Sequence, residues 1–184
     1  MATRIGMTAA EFLQMPAENG RFELVRGEIV QMNRPGMQHG LVCKNVIFIL
    51  ESWARGHSKG YVFANDTGVV TERDPDSVRG PDCMYVRSER MPSGESREGW
   101  LEIAPDLAVE VRSPTDRWSD IINKVGEYLA AGVLEVWVLN PDDRSLHVFR
   151  PDASPNRLHS ESELQSESVL PSFHCSVADF FVDV

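Results

Sequence analysis

The chain has 184 residues, 42% of them hydrophobic and 25% charged. That globular composition excludes a largely disordered chain, a collagen-like fibre and a coiled-coil rod, and the length suits one domain over residues 1–184. The formal net charge of −10 sets the chain as a whole against phosphate-rich partners, whose binding needs basic surface. Residues 151–184 hold half of that excess, a net of −5, which leaves room for a local basic groove elsewhere.

Thr8-Ala9-Ala10-Glu11 has capping-box spacing, and Phe12 and Leu13 follow it, so a short helix opens the chain. Arg21 to Met32 reads as two strands about the turn Arg26-Gly27, and Asn33-Arg34-Pro35-Gly36 breaks the second. Gln38 to Trp53 reads as a helix with Val42, Val46, Ile49, Leu50 and Trp53 on one apolar face. His39 projects to that side, and Gly56 and Gly60 end the helix. Tyr61 to Asn65 and Gly68 to Glu72 read as strands, Arg73 to Gly80 as a polar loop, and Asp82 to Arg87 as a strand opening after Pro81. Glu89 to Gly99 reads as a mobile surface loop.

Asp106 to Arg112 is a strand with Leu107, Val109 and Val111 on one side and Ala108, Glu110 and Arg112 on the other. A helix from Ser119 or Asp120 to Ala131 follows, closed by Gly132 in the left-handed cap position. Val133 to Leu139 has almost no polar interruption and reads as a strand buried on both faces. Ser145 to Arg150 is a further strand, Pro151 to Ser168 is polar and irregular, and Val177 to Phe181 is a short apolar end fit to dock on the core. The order predicts an α/β or α+β fold with a mixed sheet, in which 106–139 is a strand–helix–strand crossover.

The longest apolar run, Val46 to Leu50, is far short of the roughly 20 residues of a membrane span. Met1-Ala2-Thr3-Arg4 leads into no apolar signal region. Cys43, Cys83 and Cys175 are odd in number and share no CxxC spacing, so neither a disulfide framework nor a cysteine zinc site is expected. The expected setting is a reducing cytoplasm.

Asp82 and Glu110 are strand-borne carboxylates in apolar surroundings. Such groups are costly to bury unless paired or bound to a cation. Two converging carboxylates with a main-chain carbonyl form the hard oxygen site that Mg²⁺ prefers; a salt-bridged acid and a turn-capping aspartate are the other reading. Lys124 lies at the edge of the apolar arc of Ile121, Ile122, Val125, Tyr128 and Leu129. It either snorkels to water or points at a strand-end carboxylate, where an ammonium can orient a water or stabilise phosphate charge. Arg112, two residues after Glu110, is the alternative cation, although arginine cannot act as a base. His39 reads as a core histidine or a site residue, and Glu23, which faces away from Phe22 and Leu24, as a solvated acid or part of a polar pocket. There is no Walker loop, GxGxxG or G-x-S-x-G elbow.

Phe22-Glu23-Leu24-Val25-Arg26-Gly27-Glu28-Ile29-Val30, followed by Met32, Pro35 and His39, resembles the start of the Uma-type restriction endonuclease family. Arg79-Gly80-Pro81-Asp82 resembles its R-x-P-D segment. The longest match is Pro105 to Thr115, continuing through Asp120, Lys124, Tyr128, Gly132-Val133 and Glu135-Val136-Trp137, with Leu170-Pro171-Ser172-Phe173 near the end. The resemblance covers roughly residues 8–182. It implies the PD-(D/E)XK nuclease superfamily, with a restriction-endonuclease-like mixed central sheet flanked by helices. It implies that Asp82 and Glu110 bind Mg²⁺ or Mn²⁺, and that Lys124 serves where the superfamily often has a lysine two residues after the second acid. Arg112 stands at that place here, a departure from the pattern.

The implied activity is endonucleolytic hydrolysis of nucleic acid, DNA above RNA, with a homodimer expected for two-strand cutting. Two other readings stand beside it: an inactive binding or regulatory module on the same fold, and a metal-dependent hydrolase of a small phosphoester.

Overall fold

A computed structural model describes residues 6–16, 20–57, 60–91 and 98–184. Helix α1 (Ala9–Leu13) opens on the capping box: the Thr8 hydroxyl accepts from the Glu11 amide at 3.1 Å, and the Glu11 carboxylate accepts from the Thr8 amide at 2.8 Å. Strands β1 (Arg21–Val25) and β2 (Glu28–Met32) form a hairpin. Arg26 and Gly27 turn it with φ of 49° and 83°, the left-handed pair that a two-residue turn between right-twisted strands demands.

The helix α2 spans Met37–His57, longer than its apolar face alone predicts. Val42, Val46, Leu50 and Trp53 are buried and Ile49 is half-buried. Gly56 does not stop the helix. Strands β3 (Gly60–Ala64) and β4 (Val69–Glu72) follow and part into different sheets. The segment 73–80, expected to be a loop, contains strand β5 (Ser77–Arg79), buried throughout. Its polar side chains hide the strand in the sequence because each finds an internal partner: Ser77 donates to Glu72, and Arg79 to Glu23 and Glu127.

Strand β6 (Cys83–Arg87) is followed by a 3₁₀ turn at Ser88–Arg90. Most of the expected 89–99 surface loop, residues 92–97, lies outside the described residues. Then come β7 (Leu107–Val111), α3 (Trp118–Ala130) and β8 (Glu135–Asn140). Gly132, at φ 100°, closes α3 as expected. Strand β9 (Ser145–Phe149) completes the core, while β10 (Asn156–Leu158), β11 (Glu163–Gln165) and β12 (His174–Ser176) give order to the polar tail.

The central sheet has six strands in the order β10-β9-β8-β7-β6-β3. It is mixed: β7 and β8 run parallel, and the other pairs are antiparallel. A parallel neighbour needs a crossover, and α3 supplies it. Leu107, Val109 and Val111 pack with α2 and with Phe173, Phe180 and Phe181 on one face. Ala108 packs with Ile121, Val125 and Tyr128 of α3 on the other. Strand β8 is buried from end to end, as its unbroken apolar run requires. A second sheet, β2-β1-β5-β4, carries α1 against Leu24 and Val78. It brings Glu23 and Arg79 to the open end of β7. No described helix is long and apolar enough to cross a membrane.

Candidate active site

The antiparallel register of β6 and β7 pairs Cys83 with Val109. Asp82 immediately precedes β6, and it and Glu110 line one cleft, close enough for the charge of Asp82 to act on Glu110. A hydrogen bond holds this end of the ladder: the Val111 amide donates to Asp82 Oδ2 at 2.7 Å. The His39 ring at the start of α2 reaches the same oxygen, with Nε2 at 3.3 Å. Asp82 Oδ1 accepts no hydrogen bond among the described residues.

Glu110 belongs to the face covered by α3. The Tyr128 hydroxyl donates to its Oε1 at 2.7 Å, and the Lys124 ammonium lies 3.3 Å from both carboxylate oxygens. One helical turn separates Lys124 from Tyr128, so the amphipathic face of α3 delivers both to one carboxylate. Lys124 also stands 3.0 Å from Glu23 Oε1. The other oxygen of Glu23 accepts from Arg79 at 2.8 Å, and Arg79 bonds Glu127 through two further nitrogens at 2.7 and 2.5 Å. Asp82, Glu110, Glu23, His39 and Lys124 line one cleft of about 950 Å³.

Burial pushes the Glu110 carboxyl up, and the charges of Asp82 and Glu23 add to that push; Lys124 and the Tyr128 hydroxyl pull against them, and the result stays above the usual carboxylate range. Glu23 comes out the other way. Burial raises it, but Lys124 and Arg79 outweigh burial and hold it ionised. For Lys124, burial opposes the charge while Glu110 and Glu23 overcome it, so the side chain stays an ammonium and is a fixed cation rather than a base. For His39, burial disfavours the charged ring, yet the hydrogen bond and charge of Asp82 bring the net shift upward.

Arg112 does not join this group. Its guanidinium bonds Asn140 at 3.1 Å and Asp142 at 2.5 Å and lies over the Trp118 ring. Asn140 at the end of β8 and Asp142 in the turn after it capture it, and Lys124, not Arg112, is the cation beside Glu110. Local sequence pattern assigns Tyr128, Arg79 and Glu127 no role at the site. Tyr128 looked like one more apolar residue of α3. Arg79, three residues before Asp82, and Glu127, one turn beyond Lys124, carried a spacing signal whose meaning depends on β5 being a strand. Cys43, one turn after His39, lies with its Sγ 3.3 Å from His39 Nδ1.

The Uma2 family profile, described as "Putative restriction endonuclease", matches residues 9–178. Among solved structures, the chain is similar to a crystal structure described as a putative nuclease belonging to DUF820 from Anabaena variabilis. The two share 22% identity over 96% of this chain and 98% of the other, with a TM-score of 0.82, a likeness of fold. A search of curated proteins gave no match.

Proposed function

The chain belongs to the Uma2 family, and from that premise we propose that it is a divalent-metal-dependent endonuclease hydrolysing phosphodiester bonds of DNA. The observation that carries the reading is that Asp82, just before β6, and Glu110, on the neighbouring β7, line one cleft, with the Lys124 ammonium 3.3 Å from Glu110.

The donor set suits a hard cation. Asp82 and Glu110 offer carboxylate oxygens, the ligand type that Mg²⁺ and Mn²⁺ favour. Among the described residues Asp82 Oδ1 accepts no hydrogen bond, and the raised carboxyl of Glu110 reflects its burial together with the charges of Asp82 and Glu23, so a cation beside it would favour the ionised form. Stability alone does not account for such a cluster, because exchanging buried ion pairs for apolar packing is often neutral or favourable by about 1–4 kcal/mol. Asp82 and Glu110 would hold the ion, and when bound it would polarise the scissile phosphate and lower the pKa of a water.

The chain's own residues supply placement and charge. The Val111 amide and His39 hold Asp82 through Oδ2 and leave Oδ1 for the ion. Tyr128 fixes the orientation of the Glu110 carboxylate. Lys124 brings permanent positive charge to the place where a phosphorane-like transition state accumulates negative charge, and it can orient the attacking water. Glu23 and Arg79 are positioning residues: Glu23 holds the Lys124 ammonium, and Arg79 holds Glu23.

A homodimer belongs to the proposal, since one such site cuts one strand. So does a reducing cytoplasmic setting, in keeping with three unpaired cysteines. The test is cleavage of supercoiled plasmid with Mg²⁺ or Mn²⁺, run beside Asp82→Ala and Glu110→Ala. Cleavage that vanishes with chelator and in both variants supports the reading. Equal activity in wild type and both variants overturns it.

A further inference from the structure

His39, Cys43 and Asp82 form a second constellation: His39 and Asp82 line the cleft, and Cys43 lies behind them against His39. Each offers one ligand atom, and these atoms lie within 4.8 Å of one another. His39 and Cys43 share one face of α2 at a spacing of four residues, and Asp82 comes to them from the start of β6. His39 is buried and the other two are half-buried, so the group is not an exposed surface cluster.

The chemistry of the set differs from that of the acid pair. One imidazole nitrogen, one thiol sulfur and one carboxylate oxygen are the ligands of zinc-class ions, not of Mg²⁺. Zinc bonds of these types are about 2.0–2.3 Å long, so tetrahedral ligand atoms stand roughly 3.3–3.8 Å apart. The 3.3 Å contacts of His39 use its two different ring nitrogens, Nδ1 toward Cys43 and Nε2 toward Asp82, so one of them lies in that range for a shared ion, and the longer separations, up to 4.8 Å, need a contraction of about 1 Å.

We propose that His39, Cys43 and Asp82 form a zinc-class site that shares Asp82 with the hydrolytic ion, so that zinc switches hydrolysis off. On binding, the ion replaces the Cys43 thiol proton, which leaves to solvent, and a water fills the fourth position. His39 offers one nitrogen to the ion and gives up its contact with either Cys43 or Asp82. The inhibitory half rests on the nuclease reading; the metal site does not.

The experiment uses the full, reduced chain with Co²⁺ alone, followed by displacement with Zn²⁺. Wild type is expected to show the near-ultraviolet cobalt–thiolate band at one ion per chain. Cys43→Ser is expected to lose the band, and His39→Gln to weaken Zn²⁺ binding by about tenfold or more. A band that persists in Cys43→Ser, or no band in wild type, overturns the site.

A measurement on wild type alone guards against a misfolded variant: Zn²⁺ should protect Cys43 from alkylation, mapped by mass spectrometry, and unchanged labelling counts against the proposal. Plasmid cleavage in excess Mg²⁺ should then fall at the Zn²⁺ concentration that displaces cobalt. Cleavage that continues at saturating Zn²⁺ overturns the inhibitory half. A wild type that never cleaves overturns the nuclease reading and leaves the cobalt result standing.

Discussion

Lys124 and Glu110 are fourteen residues apart in the chain, yet the ammonium of one lies 3.3 Å from both oxygens of the other. The parallel crossover makes this contact. Glu110, next to the end of β7, faces α3, and α3 returns over that face with Lys124 and Tyr128 turned inward. Glu23 holds the ammonium from the far side at 3.0 Å.

Replacing Lys124 tests this contact in two ways. Lys124→Met should cut kcat for Mg²⁺-dependent cleavage by about 10²-fold, the effect of removing one preorganised charge from a developing anion. It should also leave Glu23 and Glu110 without their shared cation, lowering stability by about 3–5 kcal/mol. Arg112→Met should do neither at the site, because Arg112 is engaged by Asn140 and Asp142. Single-turnover kinetics and urea unfolding on both variants separate the two. A kcat loss in Arg112→Met matching that of Lys124→Met would mean that Arg112 reaches the substrate after all.

The sequence revealed the crossover and the site's acids through different signals. Alternation over Leu107 to Arg112 was enough to assign Glu110 to the face opposite Val109, and that assignment holds because β7 is buried on both sides. Gly132 marked the end of α3 through its backbone freedom. Strand β5 was hidden because three residues cannot display a period of two, and because Ser77 and Arg79 are buried with partners drawn from β1, β4 and α3. Those partners are distant in sequence, so no local pattern announces them. The same distance concealed the Glu23–Arg79–Glu127 chain, while the i, i+4 spacing of Lys124 and Tyr128 was visible but looked apolar.

Acid should weaken the anchoring of α1. The Asp76 carboxylate accepts from the Ala9 amide at 2.8 Å and pairs with Arg73 at 2.9 Å. Burial pushes its pKa up, but the amides of Ala9 and Asp74 and the charge of Arg73 outweigh burial and hold it below the usual carboxylate value. The unfolded chain therefore binds the proton more readily than the native one. The stabilisation is complete above the unfolded pKa of about 3.9 and is lost as pH falls through the depressed native value. Asp76→Asn should cost about 2 kcal/mol at neutral pH, the worth of a hydrogen bond to a charged group. Urea unfolding should show that difference shrinking below about pH 4; a pH-independent difference would mean that the charge of Asp76 is not what anchors α1.

The cleft's charge makes a last prediction about metal and stability together. A cation that binds the native Asp82–Glu110 pair and not the unfolded chain stabilises the fold by mass action, by about 2.7 kcal/mol at a hundred times its Kd. Thermal unfolding of wild type should therefore shift upward with Mg²⁺ or Mn²⁺, and chelator should reverse the shift. Asp82→Asn removes one charged ligand and keeps an acceptor for the Val111 amide, so it should retain the fold and lose most of the shift. Glu110→Gln should lose the shift too while keeping the fold, because its amide oxygen can still accept from Tyr128 and Glu23 still pairs with Lys124. If both variants kept the full metal-induced shift, the ion would be bound elsewhere, and Asp82 and Glu110 in the cleft would have to be explained as structure alone.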